Sequence, residues 1–213
     1  MVRLFRFDMS SGHLIVFEGI DGTGKSTQTR RLVEWLREQG HRVVLSREPT
    51  DGPYGTRLRQ SATTGRLSAE EELQLFLQDR REHVETLIEP ALAAGEIVVL
   101  DRYYFSTMAY QGVRGFDPRE IRRVNEEFAP VPDLLLVLDV PLDVALERVG
   151  VRDGELNAFE QREALAKCQA VFQSLGGEPF SRMIDAGRNP EEVAEMVRLA
   201  VGDVVRVDRE SDQ

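Results

Sequence analysis

The 213-residue sequence has one cysteine, no long apolar run, and fewer basic than acidic residues. Cys168 stands alone, so no intramolecular disulfide and no cysteine-rich metal site can form. No stretch approaches the roughly 18 apolar residues of a membrane span, and nothing has the h-region of a signal peptide; a cytoplasmic protein is expected. Lys and Arg number 27 against 37 Asp and Glu, a net charge of −10. That balance excludes a general nucleic-acid or anionic-membrane surface, which needs clustered cations to displace counterions. An anionic ligand must be small and held in a local positive pocket. Internal repeats are absent, as is the Asn-Lys-x-Asp run that a guanine-reading switch would carry. Arg3 and Arg6 surround Leu4, Phe5 and Phe7 in a segment read as an extension, residues 1–12, with Met9 as a plausible second start. The length suits one α/β domain over residues 1–213.

What is present is organised around Gly19-Ile20-Asp21-Gly22-Thr23-Gly24-Lys25-Ser26, which fits G-x-x-x-x-G-K-[ST] at every fixed position. Leu14-Ile15-Val16-Phe17 before it reads as a buried parallel strand, and Ser26 to Gln39 after it reads as a helix, the context that this phosphate loop requires. Its glycines let backbone N–H groups turn inward around a polyphosphate at a helix N-terminus. The ATP-binding residues are thus Gly19, Ile20, Asp21, Gly22, Thr23, Gly24, Lys25, Ser26 and Thr27. Lys25 would reach the β- and γ-phosphates, and Ser26 would ligate Mg²⁺.

Val43-Val44-Leu45 reads as a second strand, followed by loop chemistry from Arg47 to Gly55 at its carboxyl end. Ser68 with Glu71 predicts a capping box opening a long helix toward Ala94, kinked or divided at Pro90. Its apolar face takes Leu73, Phe76, Leu77, Val84, Leu87, Ile88 and Ala91, and Arg80 falls on that face. A guanidinium there snorkels to the surface, pairs with a structural carboxylate, or lines a polar cavity beside Phe76.

Glu96 to Leu100 reads as the third strand. Asp101 at its end suits the metal side of a phosphate-loop enzyme, and Arg102 would sit over the crevice. In Ser106 to Gly112, Thr107, Tyr110 and Gln111 recur at helical spacing and could read a planar base. A helix around Asp117 to Glu127, a strand Leu134 to Asp139, helices from Pro141 and Ala158, a strand near Met183-Ile184-Asp185 and a last helix from Pro190 to about Val201 follow. Leu146 to Gly154, with Arg148, Arg152, Gly150 and Gly154 and few large apolar side chains, reads as a mobile flap or as an ordinary solvated connection, with the lid set at about Val149 to Asn157, and residues 203–213 read as a polar tail. The alternation predicts a three-layer α/β fold of the P-loop NTPase type: a five-stranded parallel sheet, helices on both faces, the site along its carboxyl edge.

With these residues placed, the chain resembles the thymidylate kinase family, P-loop nucleoside monophosphate kinases that move the γ-phosphoryl of ATP to dTMP. The likeness runs from about Leu14 to the last helix, on Phe17 to Thr27, Arg47-Glu48-Pro49, Phe76 with Arg80, Asp101-Arg102-Tyr103 and Ser106 to Gly112. It implies that Phe76 stacks on thymine and Arg80 bonds its carbonyl. It further implies that Arg102 holds the dTMP phosphate, that Asp101 supports Mg²⁺, and that Thr107 lies near the base edge. By the same resemblance Tyr110 lies under the sugar, and Asp21 lies near the monophosphate and sugar. Gly22 stands where some members carry a loop arginine, so the lid-arginine arrangement is implied, with Arg152 and then Arg148 as the catalytic arginines beside Lys25 and Arg102. A homodimer is implied too. Thr50 to Gly55 departs from the family's usual glycine-glycine-threonine. The rival readings are a kinase for another monophosphate or a nucleoside, and a non-catalytic P-loop regulator.

Overall fold

Runs of Val, Ile and Leu with no polar alternation can be buried on both faces, and that decides the centre of the sheet. In the computed structural model, which describes residues 12–65, 67–150 and 158–210, these runs are β1 (His13–Glu18), β3 (Ile97–Asp101) and β4 (Leu134–Asp139). The half-exposed β2 (Val43–Arg47) and β5 (Ser181–Asp185) take the edges. The order is β2-β3-β1-β4-β5 and every pairing is parallel. Phe17 is level with Asp101 on one side and Leu136 on the other, so the phosphate loop, Asp101 and Arg102 emerge together at the carboxyl edge. This is the predicted fold class.

Helix α1 (Lys25–Glu38) packs on the sheet with α9 (Pro190–Glu210), and Gln28 Nε2 donates to Pro190 O at 3.0 Å between them. Among the remaining helices, α2 (Pro53–Thr64), α3 (Ala69–His83), α5 (Tyr104–Val113), α6 (Pro118–Glu126) and α8 (Ala158–Ser174) form a second contacting set. The short α4 (Glu89–Ala93) leads into β3, and α7 (Leu142–Val149) follows β4.

Three boundaries differ from the sequence reading. Residues 53–55, read as loop, open α2, because Pro53 sits in the first turn where its missing N–H is not needed. The long helix is capped by Ser68 and Glu71 in both directions as expected, but it does not simply kink. It passes through a π-helical stretch, Val84–Ile88, in which the Glu89 N–H bonds Val84 O, just before Pro90, which has no N–H to give. The last helix continues past Val201 to Glu210, with Val204 and Val205 still packed against the core.

Candidate active site

The loop between β1 and α1 needs glycine at more than one position for a physical reason. Gly19, Gly22 and Gly24 all have positive φ, at 137°, 84° and 88°. A Cβ on Gly19 would lie 2.3 Å from Leu138 O, and one on Gly22 would lie 2.5 Å from Ala145 O. An arginine at position 22 would therefore collide with the backbone of α7. Inside the loop Lys25 Nζ donates to Gly19 O and Ile20 O at 2.9 and 2.8 Å, and Thr23 Oγ1 donates to Ile20 O at 3.0 Å. Burial, with repulsion from Arg102, lowers the Lys25 ammonium to about 8, against the pull of Asp21, Asp101 and Glu18.

Facing the loop is a cavity of about 550 Å³ lined by Asp21, Gly22, Gly24, Lys25, Ser26 and Thr27 on one side. Arg47, Glu48, Pro49, Arg59, Asp101, Arg102, Arg148 and Val149 complete the wall. Five cations thus face three carboxylates in a chain of net −10, the local positive pocket that the composition demanded. Arg102 takes a left-handed backbone, φ 73°, with its N–H on Phe17 O. Its Nη2 donates to Asp21 Oδ1 at 2.6 Å and its Nη1 to Ser106 Oγ at 2.8 Å, and the guanidinium lies 5.3 Å from the Tyr110 ring centre. Tyr110 Oη reaches Asp21 Oδ2 at 3.3 Å.

Ser26 Oγ donates to Asp101 Oδ2 at 2.5 Å, so the two residues assigned to metal are adjacent. A hydroxyl and a carboxylate at the foot of a phosphate loop are hard oxygen donors of the sort that Mg²⁺ takes while keeping waters and substrate oxygens. They fit that ion. Among the described residues no group of three His, Cys, Asp or Glu could form an all-protein metal cage.

The set assigned to the base lies behind this cavity and does not line it. Arg80 is 1 % exposed, lies 5.5 Å over the Tyr103 ring and is held by three side chains. Its Nε donates to Glu48 Oε2 at 2.8 Å, Nη1 to Asn125 Oδ1 at 2.6 Å and Nη2 to Thr107 Oγ1 at 3.0 Å. Of the three sequence alternatives, snorkelling is excluded and pairing with a carboxylate is present. Phe76, one turn earlier, is half-buried. Gln111 is buried with Nε2 on Glu72 Oε2 at 2.8 Å, and its Oε1 has no partner among the described residues.

Arg148 is exposed, yet its Nη1 meets Gly22 O at 3.3 Å and Ala186 O at 3.2 Å, across the rim of the loop. Arg152 and residues 151–157 of the expected lid lie outside the described residues, as do residues 1–11 of the extension and 211–213 of the tail. Sequence reading missed Arg59, which donates to Pro49 O and Thr50 O at 2.9 and 2.6 Å; recognising Pro53 as a helix start would have exposed it. It also gave no role to Glu48, or to Asp79, which holds Thr50 through N–H and Oγ1 at 2.8 and 2.6 Å. Those bonds, and the Asp51 pairs with Arg47 and Arg59, account for the divergent Thr50 to Gly55 segment as a self-bonded turn into α2.

A family model described as thymidylate kinase matches residues 17–197. A curated thymidylate kinase of Akkermansia muciniphila is 60% identical over 190 residues, 89% of this chain and 91% of that one. One from Xanthomonas campestris pv. campestris is 51% identical over 89% of this chain and 83% of its own length, and one from Xanthomonas euvesicatoria pv. vesicatoria is 52% identical over 85% and 80%.

Proposed function

The chain belongs to the thymidylate kinase family, and we propose that it transfers the γ-phosphoryl of ATP to dTMP, giving dTDP and ADP. The observation that carries this reading is the single cavity in which Lys25, Ser26 and the loop glycines face Arg102 and Asp21. A donor polyphosphate and an acceptor monophosphate can meet there. The acceptor's phosphate oxygen forms the new bond to the γ-phosphorus while the bond to the bridging oxygen of ADP breaks. That oxygen is already anionic, so no general base is called for; positioning and positive charge dominate through a loose transition state. Lys25 and the loop N–H groups hold the donor, and Arg102 holds the acceptor's phosphate with Asp21 beside it. Ser26 and Asp101 would hold Mg²⁺, which would supply charge neutralisation for the transferring phosphoryl group.

Phe76, Arg80, Thr107, Tyr110 and Gln111 form the base and sugar side of this reading. Arg80 carries five N–H donors, and Glu48, Asn125 and Thr107 leave one on Nη1 for a base carbonyl. Arg152 first and Arg148 second are the arginines assigned to the transferring group; the clash awaiting any side chain at Gly22 supports a source outside the loop. Homodimerisation and a cytoplasmic location belong to the same reading; among the described residues no helix is long and apolar enough to cross a membrane. A coupled ADP-release assay across dTMP, CMP, AMP and GMP tests the whole. Turnover of dTMP should lead and should be lost in Lys25→Ala; equal or better turnover of another base rejects thymidylate specificity.

A further inference from the structure

Glu18 is the last residue of β1, immediately before the phosphate loop, and is fully enclosed. Its carboxylate accepts three hydrogen bonds from one segment. Oε1 accepts the Tyr103 and Ser106 N–H groups at 2.8 and 3.0 Å, and Oε2 accepts the Ser106 hydroxyl at 2.6 Å. A hydroxyl has one proton, so with that proton given to Glu18, Ser106 Oγ can only accept from its other neighbour. That neighbour is Arg102 Nη1, at 2.8 Å. The chain of bonds therefore has one direction, from guanidinium to hydroxyl to carboxylate.

We propose that Glu18 and Ser106 are positioning residues for Arg102, the buried carboxylate acting through the hydroxyl to aim the guanidinium at the acceptor's phosphate. The proposal rests on the reading of Arg102 given above. Two further features favour it. Arg102 holds a left-handed backbone, φ 73°, which a non-glycine residue keeps only where its surroundings over-determine it. And of the two side chains bonded to the guanidinium, Asp21 is 60% exposed and lines the cavity, whereas Ser106 does not line it and is backed by the enclosed Glu18. The Ser106 grip is thus the one shielded from whatever occupies the cavity. Burial lifts the Glu18 carboxyl above its ordinary range, and Arg102 is the first of the groups pulling it back down, ahead of Ser106, Tyr103 N–H and Lys25.

A purely structural role is separable, because Glu18 also caps the first turn of α5 through backbone N–H groups. Ser106→Ala removes the hydroxyl but leaves both of those bonds. Steady-state kinetics should show KM for dTMP raised roughly 10- to 150-fold, the range for a lost bond to a charged group. KM for ATP should stay within about twofold and the melting midpoint within a few degrees. Ser106→Thr, which keeps the hydroxyl, should restore KM for dTMP. Glu18→Gln would present an amide N–H toward Ser106 and reverse the bond direction, so it should raise the same KM and also lower the melting midpoint. Arg102→Ala is the reference. If it raises KM for dTMP while Ser106→Ala leaves it unchanged, the relay is refuted and the reading of Arg102 stands. If neither changes it, both are refuted.

Discussion

Arg80→Ala tests whether the buried guanidinium holds the fold, reads the base, or does both. In the parent, Arg80 and Glu48 pair at 2.7 Å with side-chain exposures of 1% and 3%. Removing one partner of such a pair leaves an uncompensated buried charge and costs about 3–5 kcal/mol. At about 2–4 °C per kcal/mol for a chain of this size, the melting midpoint should fall by roughly 6–20 °C. His83 Nδ1, 3.0 Å from Glu48 Oε1, remains as a partial partner and favours the lower half of that range. Arg80→Met with Glu48→Leu removes both charges, so part of the loss should return, the remainder being the lost partners of buried Asn125, Thr107 and His83. Affinity for dTMP should behave otherwise. Loss of the base contact should weaken it by roughly 5- to 150-fold, from about 1–3 kcal/mol, in the single and the double variant alike. Differential scanning fluorimetry and calorimetric titration with dTMP and ATP separate the two effects. A midpoint within about 2 °C of the parent for Arg80→Ala refutes the argument from burial. A large drop with dTMP affinity intact makes Arg80 structural only.

Lys25 makes ATP binding sensitive to pH. Its folded value, about 8, lies below the 10.5 of the unfolded chain. The penalty of burying the ammonium is therefore present below about 8 and is relieved as pH rises through that window, so this group's contribution to stability increases there. ATP affinity runs the other way, because the charged form is the one that grips phosphate: titration calorimetry should show it falling by roughly tenfold per unit above about pH 8, and a flat profile to about pH 9.5 would falsify the assignment. For the lid arginines, single-turnover transfer at saturating ATP and dTMP should fall in Arg148→Ala, Arg152→Ala and most in the double variant, within the roughly 10³–10⁵ range known for such arginines. A double variant within about tenfold of the parent, under roughly 1.4 kcal/mol, sinks that assignment.

Much of the molecule follows from local rules that sequence alone can satisfy. The phosphate loop is legible because the backbone turn it needs is open only to glycine at several positions, and the clashes awaiting a Cβ at Gly19 and Gly22 show why. Wholly apolar strands predict burial on both faces, and Ser68 with Glu71 specifies its own cap within four residues. The run of strands and helices then leaves few sheet topologies available. Partners distant in sequence were not legible. Arg80 was visibly out of place on its helix, but its periodicity could not choose among surface, carboxylate and cavity, because Glu48, Thr107 and Asn125 lie 32, 27 and 45 residues away. The π stretch before Pro90, in which the Glu89 N–H bonds Val84 O, leaves no mark in the hydrophobic periodicity. Glu18 reads in sequence as one more residue before a glycine. Only the parallel register that sets β1 beside β3 brings its carboxylate to the start of α5, where a hydroxyl turns it toward Arg102.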